Sequence, residues 1–418
     1  MKKKPLILGL GLTGLAVAEF FESKNIPYFA CDDKLQKYEL SKYKEMEFLN
    51  LAEALKVEFD YLVVSPGVNP GHLVYQKAIA SSVKIISEIE LALDHLSSKV
   101  IGITGTNGKT TVTKFLEEGL KKIGFDAIAC GNYGKPLISF IGKETPNTVF
   151  CCELSSYQLE NTFLRKIDYG IILNITQDHL DRYGTMQAYA EAKFHLIDLI
   201  KSEGEIFIQK KLSLQFPNSI HAENIVFYDD RTLPLEGLSQ FSSREKENWI
   251  AAFLILKKFK MTDLQMNELL INFHKPEHRI EHVADVNGVK FYDDSKGTNV
   301  DAVIFAVEKF QEPLILLLGG KDKSSDYSPW IEAFKDRVKK VIAFGQAKEK
   351  IQGVLNPYYD VAVVENLEDA ANLANNSSTA GDIVLLSPGC SSFDQFKDYK
   401  HRAEVYRNCI KSFSSQKS

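Results

Sequence analysis

Short aliphatic and β-branched runs alternate with stretches of helical periodicity along the whole chain. The runs fall at Leu6–Leu8, Tyr28–Ala30, Tyr61–Val64, Val100–Thr104, Thr148–Cys152, Tyr169–Leu173, Leu314–Leu318, Lys340–Phe344 and Ile383–Leu386. Strands separated by helical patterns predict an α/β protein built on mainly parallel sheets with helical crossovers. Helices are predicted over Gln187–Leu199 and Asn248–Lys258. New strand–loop–helix units open at Leu6, at Val100 and after His274–His278, which divides the chain into residues 1–97, 98–277 and 278–418. At roughly 150 residues per domain, a chain of 418 residues agrees with three. No internal repeat, no coiled-coil heptad and no apolar run of about 18 residues is present, so no membrane-spanning helix is expected.

Composition narrows the function classes. With 44% hydrophobic and 25% charged residues the chain reads as globular, and disorder is not its default. A net charge of −5 supplies no basic field for nucleic acid or an anionic membrane, so a phosphate partner must be held by local geometry. The six cysteines form no C-x-x-C pair and read as reduced core residues of a cytoplasmic protein. Lys2-Lys3-Lys4, the apolar run to Leu15 and Ala16-Val17-Ala18 imitate a secretory leader. The glycines inside that run and the amphipathic continuation Glu19-Phe20-Phe21 favour a strand, a turn and a helix instead. With no long exposed apolar helix, a monomer is expected.

Gly9-Leu-Gly11-Leu-Thr-Gly14 follows the first strand and opens a helix, where glycines let backbone approach a phosphate and the helix dipole attracts its charge. Asp32-Asp33 ends the next strand, about where a dinucleotide fold grips a ribose, and Ser65-Pro66-Gly67 follows Tyr61–Val64. These features fit a nucleotide, with NAD the first guess, or a tight turn that holds nothing. A second loop is sharper: Gly105-Thr106-Asn107-Gly108-Lys109-Thr110-Thr111, again between strand and helix. Backbone N–H groups, a lysine point charge and a hydroxyl for Mg²⁺ at a helix start make a nucleoside-triphosphate site. Where the standard loop has its first glycine this chain has Ile103, with Gly102 and Gly105 nearest.

Thr104-Gly-Thr-Asn-Gly-Lys-Thr-Thr111 resembles the ATP loop of the Mur ligases, the cytoplasmic amide-forming enzymes of peptidoglycan precursor synthesis. The resemblance runs the length of the chain. It continues through Gly131-Asn132, Glu153–Glu160, Asn174–Tyr183, Ala192-Lys193, His278-Arg279-Ile-Glu281, Asp294–Asn299 and Leu318–Lys323. The segment Leu386-Ser-Pro-Gly-Cys-Ser-Ser392-Phe393-Asp-Gln-Phe-Lys397, with the opening Gly-rich loop, is similar to the D-glutamate-adding branch.

That resemblance implies an ATP-dependent, ADP-forming ligase adding D-glutamate to UDP-N-acetylmuramoyl-L-alanine through an acyl phosphate. It implies Rossmann-like first and third domains around a P-loop-type central one. ATP would lie on Gly105–Thr111 with Arg279, Asp294 and Lys296, and Lys109, His179 and Lys193 would be catalytic. Mg²⁺, as one or two ions, would take Thr110, Glu153, His179 and a carbamylated Lys193. Carbamylation demands a deprotonated amine and turns a cation into a carboxylate-like ligand. The UDP substrate would meet Leu12, Thr13, Asp32, Asp33, Ser65, Pro66, Gly67 and Asn132, which displaces NAD as the guess for the first domain. D-Glutamate would meet Thr298, Lys323, Ser392 and the backbone at Phe393.

The chain departs from the family pattern in places. Arg244-Glu245 stands where His-Asn is usual, so glutamate replaces the asparagine expected to read adenine. Asp33-Lys34 stands where other members often carry Thr-Arg, and Ala403 follows Arg402 where glycine is usual. Two other classes compete: an NAD-dependent dehydrogenase, which leaves Gly108-Lys109-Thr110 unexplained, and a ligase-like module that has lost turnover. A Mur-type ligase for another amino acid is the nearer neighbour. The diaminopimelate or lysine adder would be expected to carry Asp-Asn-Pro-Arg, which is absent.

Overall fold

The structure, a computed structural model, describes residues 4–34, 41–221, 223–233 and 236–415. Its three-domain α/β architecture rests on three sheets. The first contains β1 (Lys4–Leu8), β2 (Tyr28–Cys31), β3 (Met46–Phe48), β4 (Phe59–Val64) and β5 (Lys84–Ile86) in the order β3-β2-β1-β4-β5, all parallel. The second contains β6 (Lys99–Thr104), β7 (Asp126–Gly131), β8 (Thr148–Glu153), β9 (Ile167–Ile172), β10 (Ile200–Gln209) and β11 (Ile225–Tyr228), in the parallel order β11-β10-β9-β6-β8-β7. The third contains β12 (Glu281–Val286), β13 (Val289–Asp293), β14 (Leu314–Gly319), β15 (Val338–Phe344), β16 (Val361–Val363) and β17 (Ile383–Gly389), ordered β12-β13-β17-β14-β15-β16.

Every predicted strand lies within an observed one except for Leu173, one residue past β9. The named strands pair in parallel, as the expectation of mainly parallel sheets has it, except β12 and β13, which form an antiparallel hairpin. Asn287 and Gly288 turn it with φ of 53° and 77°, the left-handed pair that a two-residue hairpin requires. The helix expected over Gln187–Leu199 is α-helical over Met186–Phe194 and tightens to a 3₁₀ helix over His195–Leu199. Five cysteines are buried as expected, but Cys409 is half-buried, on the helix that ends the described chain.

The strand order reverses at β1, at β6 and at β14, and at such switch points the loops leaving neighbouring strands diverge to leave a crevice. Each glycine- or serine-rich motif lies there. Gly9–Gly14 and Ser65–Gly67 leave β1 and β4, Gly105–Gly108 and the turn after Glu153 leave β6 and β8, and residues 320–323 and 390–393 leave β14 and β17. Rigidity comes from behind. In the second sheet the helix Lys109–Lys122 buries Phe115 against Trp249 and Phe253 of the helix Ser243–Lys258, at ring distances of 4.9 and 5.5 Å.

The chain forms two compact units. One holds the first two sheets, the residues up to Ile175 together with Ala190–Phe273; the other holds the third sheet, Thr176–Tyr189 together with the residues from His274 onward.

Candidate active site

In the first unit β6 pairs with β9 on one side and β8 on the other, so the loop it releases starts from the middle of a buried sheet. Asn174 braces that loop from outside it. The Thr106 N–H donates to the Asn174 carbonyl at 2.8 Å, the Asn107 N–H donates to its side-chain oxygen at 2.8 Å, and its amide nitrogen donates to the Asn107 carbonyl at 3.0 Å. Gly108 caps the helix Lys109–Lys122 at φ 88°, and a Cβ there would lie 2.8 Å from the Asn248 amide. Only glycine meets both demands. The helix start therefore places the backbone N–H groups of its first turn and the positive end of the helix dipole beside the buried Thr110 hydroxyl.

Lys109 donates to the carbonyls of Gly105 and Thr106 at 2.8 and 3.0 Å, and Lys193 donates to the same Gly105 carbonyl at 3.0 Å. Two ammonium groups thus converge on one oxygen, and Lys193 is 2% exposed. That concentration of positive charge favours an anion at the loop.

Glu153 ends β8 opposite Ile103 and Gly131, which sets its carboxylate at the same sheet edge as the loop. The Gly131-Asn132 turn wraps it: the Asn132 N–H donates to the Glu153 carbonyl at 2.8 Å and its amide to one carboxylate oxygen at 2.7 Å. The other oxygen is buried with no hydrogen-bond partner among the described residues. A buried anionic oxygen without a donor is costly, and a divalent cation with oxygen preference completes it, so the residues present fit Mg²⁺.

Between the loops of β1, β4 and β7 lies a cavity of about 970 Å³. Leu12, Thr13, Asp32, Asp33, Ser65, Pro66, Gly67 and Asn132 all line it, joined by Gln158 and His72, which the sequence reading did not single out. Asp32 accepts from the backbone N–H groups of Leu10 and Lys34 at 2.6 and 2.8 Å, so it fastens the Gly-rich loop to the strand beside it. Asp33 stays accessible and pairs with His72 at 3.3 Å.

The second unit carries the remaining candidates. Asp294 follows β13 and is buried, accepting from the Ser387 hydroxyl at 2.7 Å. Burial pushes its carboxyl up to about 7, against the pull of the Arg279 charge and the Ser387 bond. Lys296 stands 5.4 Å from the Tyr399 ring centre. Lys323 forms an ion pair of 2.8 Å with Asp178, a residue the sequence reading passed over. Asp178 also takes the His179 N–H at 2.9 Å and the Asn299 amide at 3.4 Å. His179 sits at φ 54°, in the left-handed region. Thr298 is half-buried, Ser392 is buried, and Phe393 leaves its ring 69% exposed.

Glu245, the residue in place of asparagine, caps its own helix: the Ser242 hydroxyl donates to its carboxylate at 3.0 Å.

Known proteins share this layout. The model of the Mur ligase middle domain matches residues 103–232, that of the Mur ligase glutamate ligase domain 278–390, and that of the MurD-like N-terminal domain 3–87. The UDP-N-acetylmuramoylalanine–D-glutamate ligase of Protochlamydia amoebophila is 39% identical over 98% of each chain. The enzyme of the same name from Caldicellulosiruptor saccharolyticus is 34% identical, again over 98% of each. Among solved structures, the UDP-N-acetylmuramate-alanine ligase of Thermotoga maritima shares the fold with a TM-score of 0.59 at 15% identity, over 99% of this chain and 100% of that one. The MurF ligase of T. maritima in complex with ADP has the same score at 14% identity, over 94% of this chain and 96% of that one. With all three sheets matched by that family's domain models and full-length relatives 39% and 34% identical, the chain belongs to the Mur ligases.

Proposed function

We propose that the protein is an ATP-dependent, ADP-forming ligase that joins D-glutamate to UDP-N-acetylmuramoyl-L-alanine, a step of peptidoglycan synthesis. The end-to-end match to ligases of that name carries the reading. An amide from a carboxylate and an amine is uphill in water, so the alanyl carboxylate first attacks the γ-phosphorus of ATP. The acyl phosphate formed, with ADP released, is then attacked by the amine of D-glutamate, which expels phosphate.

The chain's part is to hold like charges together. Lys109 and the helix-start N–H groups of Gly105–Thr111 hold the phosphates, with Arg279, Asp294 and Lys296 as further nucleotide contacts. Thr110, Glu153, His179 and a carbamylated Lys193 are the groups that would hold Mg²⁺. Bound Mg²⁺ supplies positive charge that screens the carboxylate from the phosphate it approaches. Carbamate formation on Lys193 would also relieve the two-ammonium contact at the Gly105 carbonyl. The 970 Å³ cavity suits the uridine nucleotide, through Leu12, Thr13, Asp32, Asp33, Ser65–Gly67 and Asn132. Lys323, Thr298, Ser392 and the backbone at Phe393 offer a cation and hydrogen-bonding groups to the two carboxylates of D-glutamate. These roles go with domains 1–97, 98–277 and 278–418. A monomer in the cytoplasm fits a reaction that consumes ATP and a chain whose cysteines are all free.

The test is phosphate release from ATP with UDP-N-acetylmuramoyl-L-alanine, scanning D-glutamate, L-glutamate, D-aspartate, L-lysine and meso-diaminopimelate. Release that requires D-glutamate supports the reading. Release with another amine alone, or with none despite nucleotide binding, overturns it.

A further inference from the structure

Arg279 lies between two residues with left-handed backbone. His278 has φ 61° and Ile280 φ 52°, and a β-branched residue seldom adopts such an angle without being forced to. Beside this turn lies a charged cluster at the root of the β12–β13 hairpin. Glu281 and Asp293 are direct cross-strand partners, an arrangement of like charges that by itself repels. Arg407, reaching in from the helix Tyr399–Ser415, sits between them: its NH2 is 2.7 Å from Glu281 and 3.0 Å from Asp293, and its Nε donates to Asp293 at 3.0 Å. The 2.7 Å contact is an ion pair rather than an aligned hydrogen bond.

The two bridged carboxylates grip His278 from both ends. Its N–H donates to Glu281 at 2.9 Å, and its Nδ1 lies 2.7 Å from the fully buried Asp293 carboxylate. The His278 carbonyl accepts from the Lys296 N–H at 3.3 Å, which ties the same turn to the segment after Asp294. Burial would raise both carboxyls, yet the Arg407 guanidinium and the bonds from His278 hold Glu281 and Asp293 below the usual range, so both are charged at neutral pH. Three acidic and imidazole groups close enough to share an ion resemble a metal site, but the Arg407 guanidinium already supplies the positive charge there.

We infer that Arg407 is a positioning residue for Arg279: by bridging Glu281 and Asp293 it locks His278, and through it the strained turn that fixes where the Arg279 guanidinium points. The inference rests on the reading of Arg279 as a nucleotide contact. No sequence motif marks Arg407, because its partners lie 126 and 114 positions away (407 − 281 and 407 − 293) and meet it only in the fold.

A double-mutant cycle on the full-length protein tests it, with Arg407→Met, Arg279→Ala and the pair, reading the KM for ATP, the KM for D-glutamate and the Kd of a fluorescent ATP analogue. Arg407→Met is expected to weaken nucleotide binding roughly tenfold, the lower end of what losing an orienting partner costs a ligand-holding side chain. The KM for D-glutamate stays unchanged, and the loss disappears in the Arg279→Ala background. Arg407→Lys, which restores the charge without the fork, recovers part of the affinity and replaces the methionine variant should that one fail to fold. A folded variant with unchanged nucleotide affinity, or a loss that multiplies with that of Arg279→Ala, overturns the inference. D-Glutamate-dependent phosphate release by the unmutated protein tests the proposed reaction separately, since the nucleotide Kd is read without turnover.

Discussion

Glu153 gives one carboxylate oxygen to Asn132 and keeps the other buried with no donor among the described residues. A charge held that way costs several kcal/mol until a cation completes it. Glu153→Gln keeps the shape and removes the charge. Its Mg²⁺-dependent phosphate release should fall by on the order of 100-fold, while its Tm in metal-free buffer should rise. Unchanged turnover across a Mg²⁺ titration would remove Glu153 from the metal set. Glu88 poses the same problem on the helix Glu88–His95. One oxygen takes the Ile138 N–H at 2.6 Å, the other has no partner among the described residues, and burial pushes its carboxyl from 4.5 up to about 7. The folded state then holds that proton more tightly than the unfolded chain. The stability it contributes is complete below about pH 4.5 and is lost as pH rises through 7, up to roughly 3 kcal/mol. Glu88→Gln should flatten the fall in Tm between pH 5 and 8, leaving the share due to Asp294, which is raised to about 7 as well. Parallel Tm curves for the two proteins would count against it. Lys109 and Glu153 were legible in the sequence because local spacing after a strand announces them. Asp178 and Asn174 were not, since their bonds reach Lys323 and Asn107, 145 and 67 positions away.

At the scale of elements, the strands that the sequence pattern reveals are the aliphatic ones at the centres of sheets, such as β6, β14 and β17. It hides edges. β3 and β16 have three residues each and sit at sheet margins, where one unpaired side relaxes the demand for apolar residues. The β12–β13 hairpin had a readable signal in Asn287-Gly288 between two short alternating runs, obscured because everything around it follows parallel α/β rhythm. The junction of β6 with the helix Lys109–Lys122 shows how one position couples element and chemistry. Gly108→Ala would put a methyl 2.8 Å from the Asn248 amide in a left-handed conformation, so the helix start must shift. A loss of about 1–3 kcal/mol in denaturant unfolding is expected, together with weakened ATP binding. Stability lost with nucleotide affinity intact would show that the loop tolerates the shift.

Across the whole molecule, three sheets solve the same problem in the same way, each presenting two loops where its strand order reverses. That repetition explains why motif order along the chain was enough to foresee a three-domain α/β architecture, and why it did not reveal how the residues group. Thr176–Tyr189 is flanked on both sides by residues of the first unit, yet packs with the second, where Asp178 meets Lys323 and the Asp181 N–H donates to the Lys323 carbonyl at 3.3 Å. The second unit is therefore not a cassette. An exchange of residues 274–418 between two Mur ligases moves Lys323 and leaves its carboxylate behind, whereas an exchange that also carries 176–189 moves both. Of two such chimaeras, the one with the shorter exchange is expected to melt lower and to need more D-glutamate, and equal behaviour would mean the inserted strip is interchangeable. Recombination at gene level thus meets a boundary that is written in two places, and lineages can trade this half of the protein only by inheriting both pieces at once.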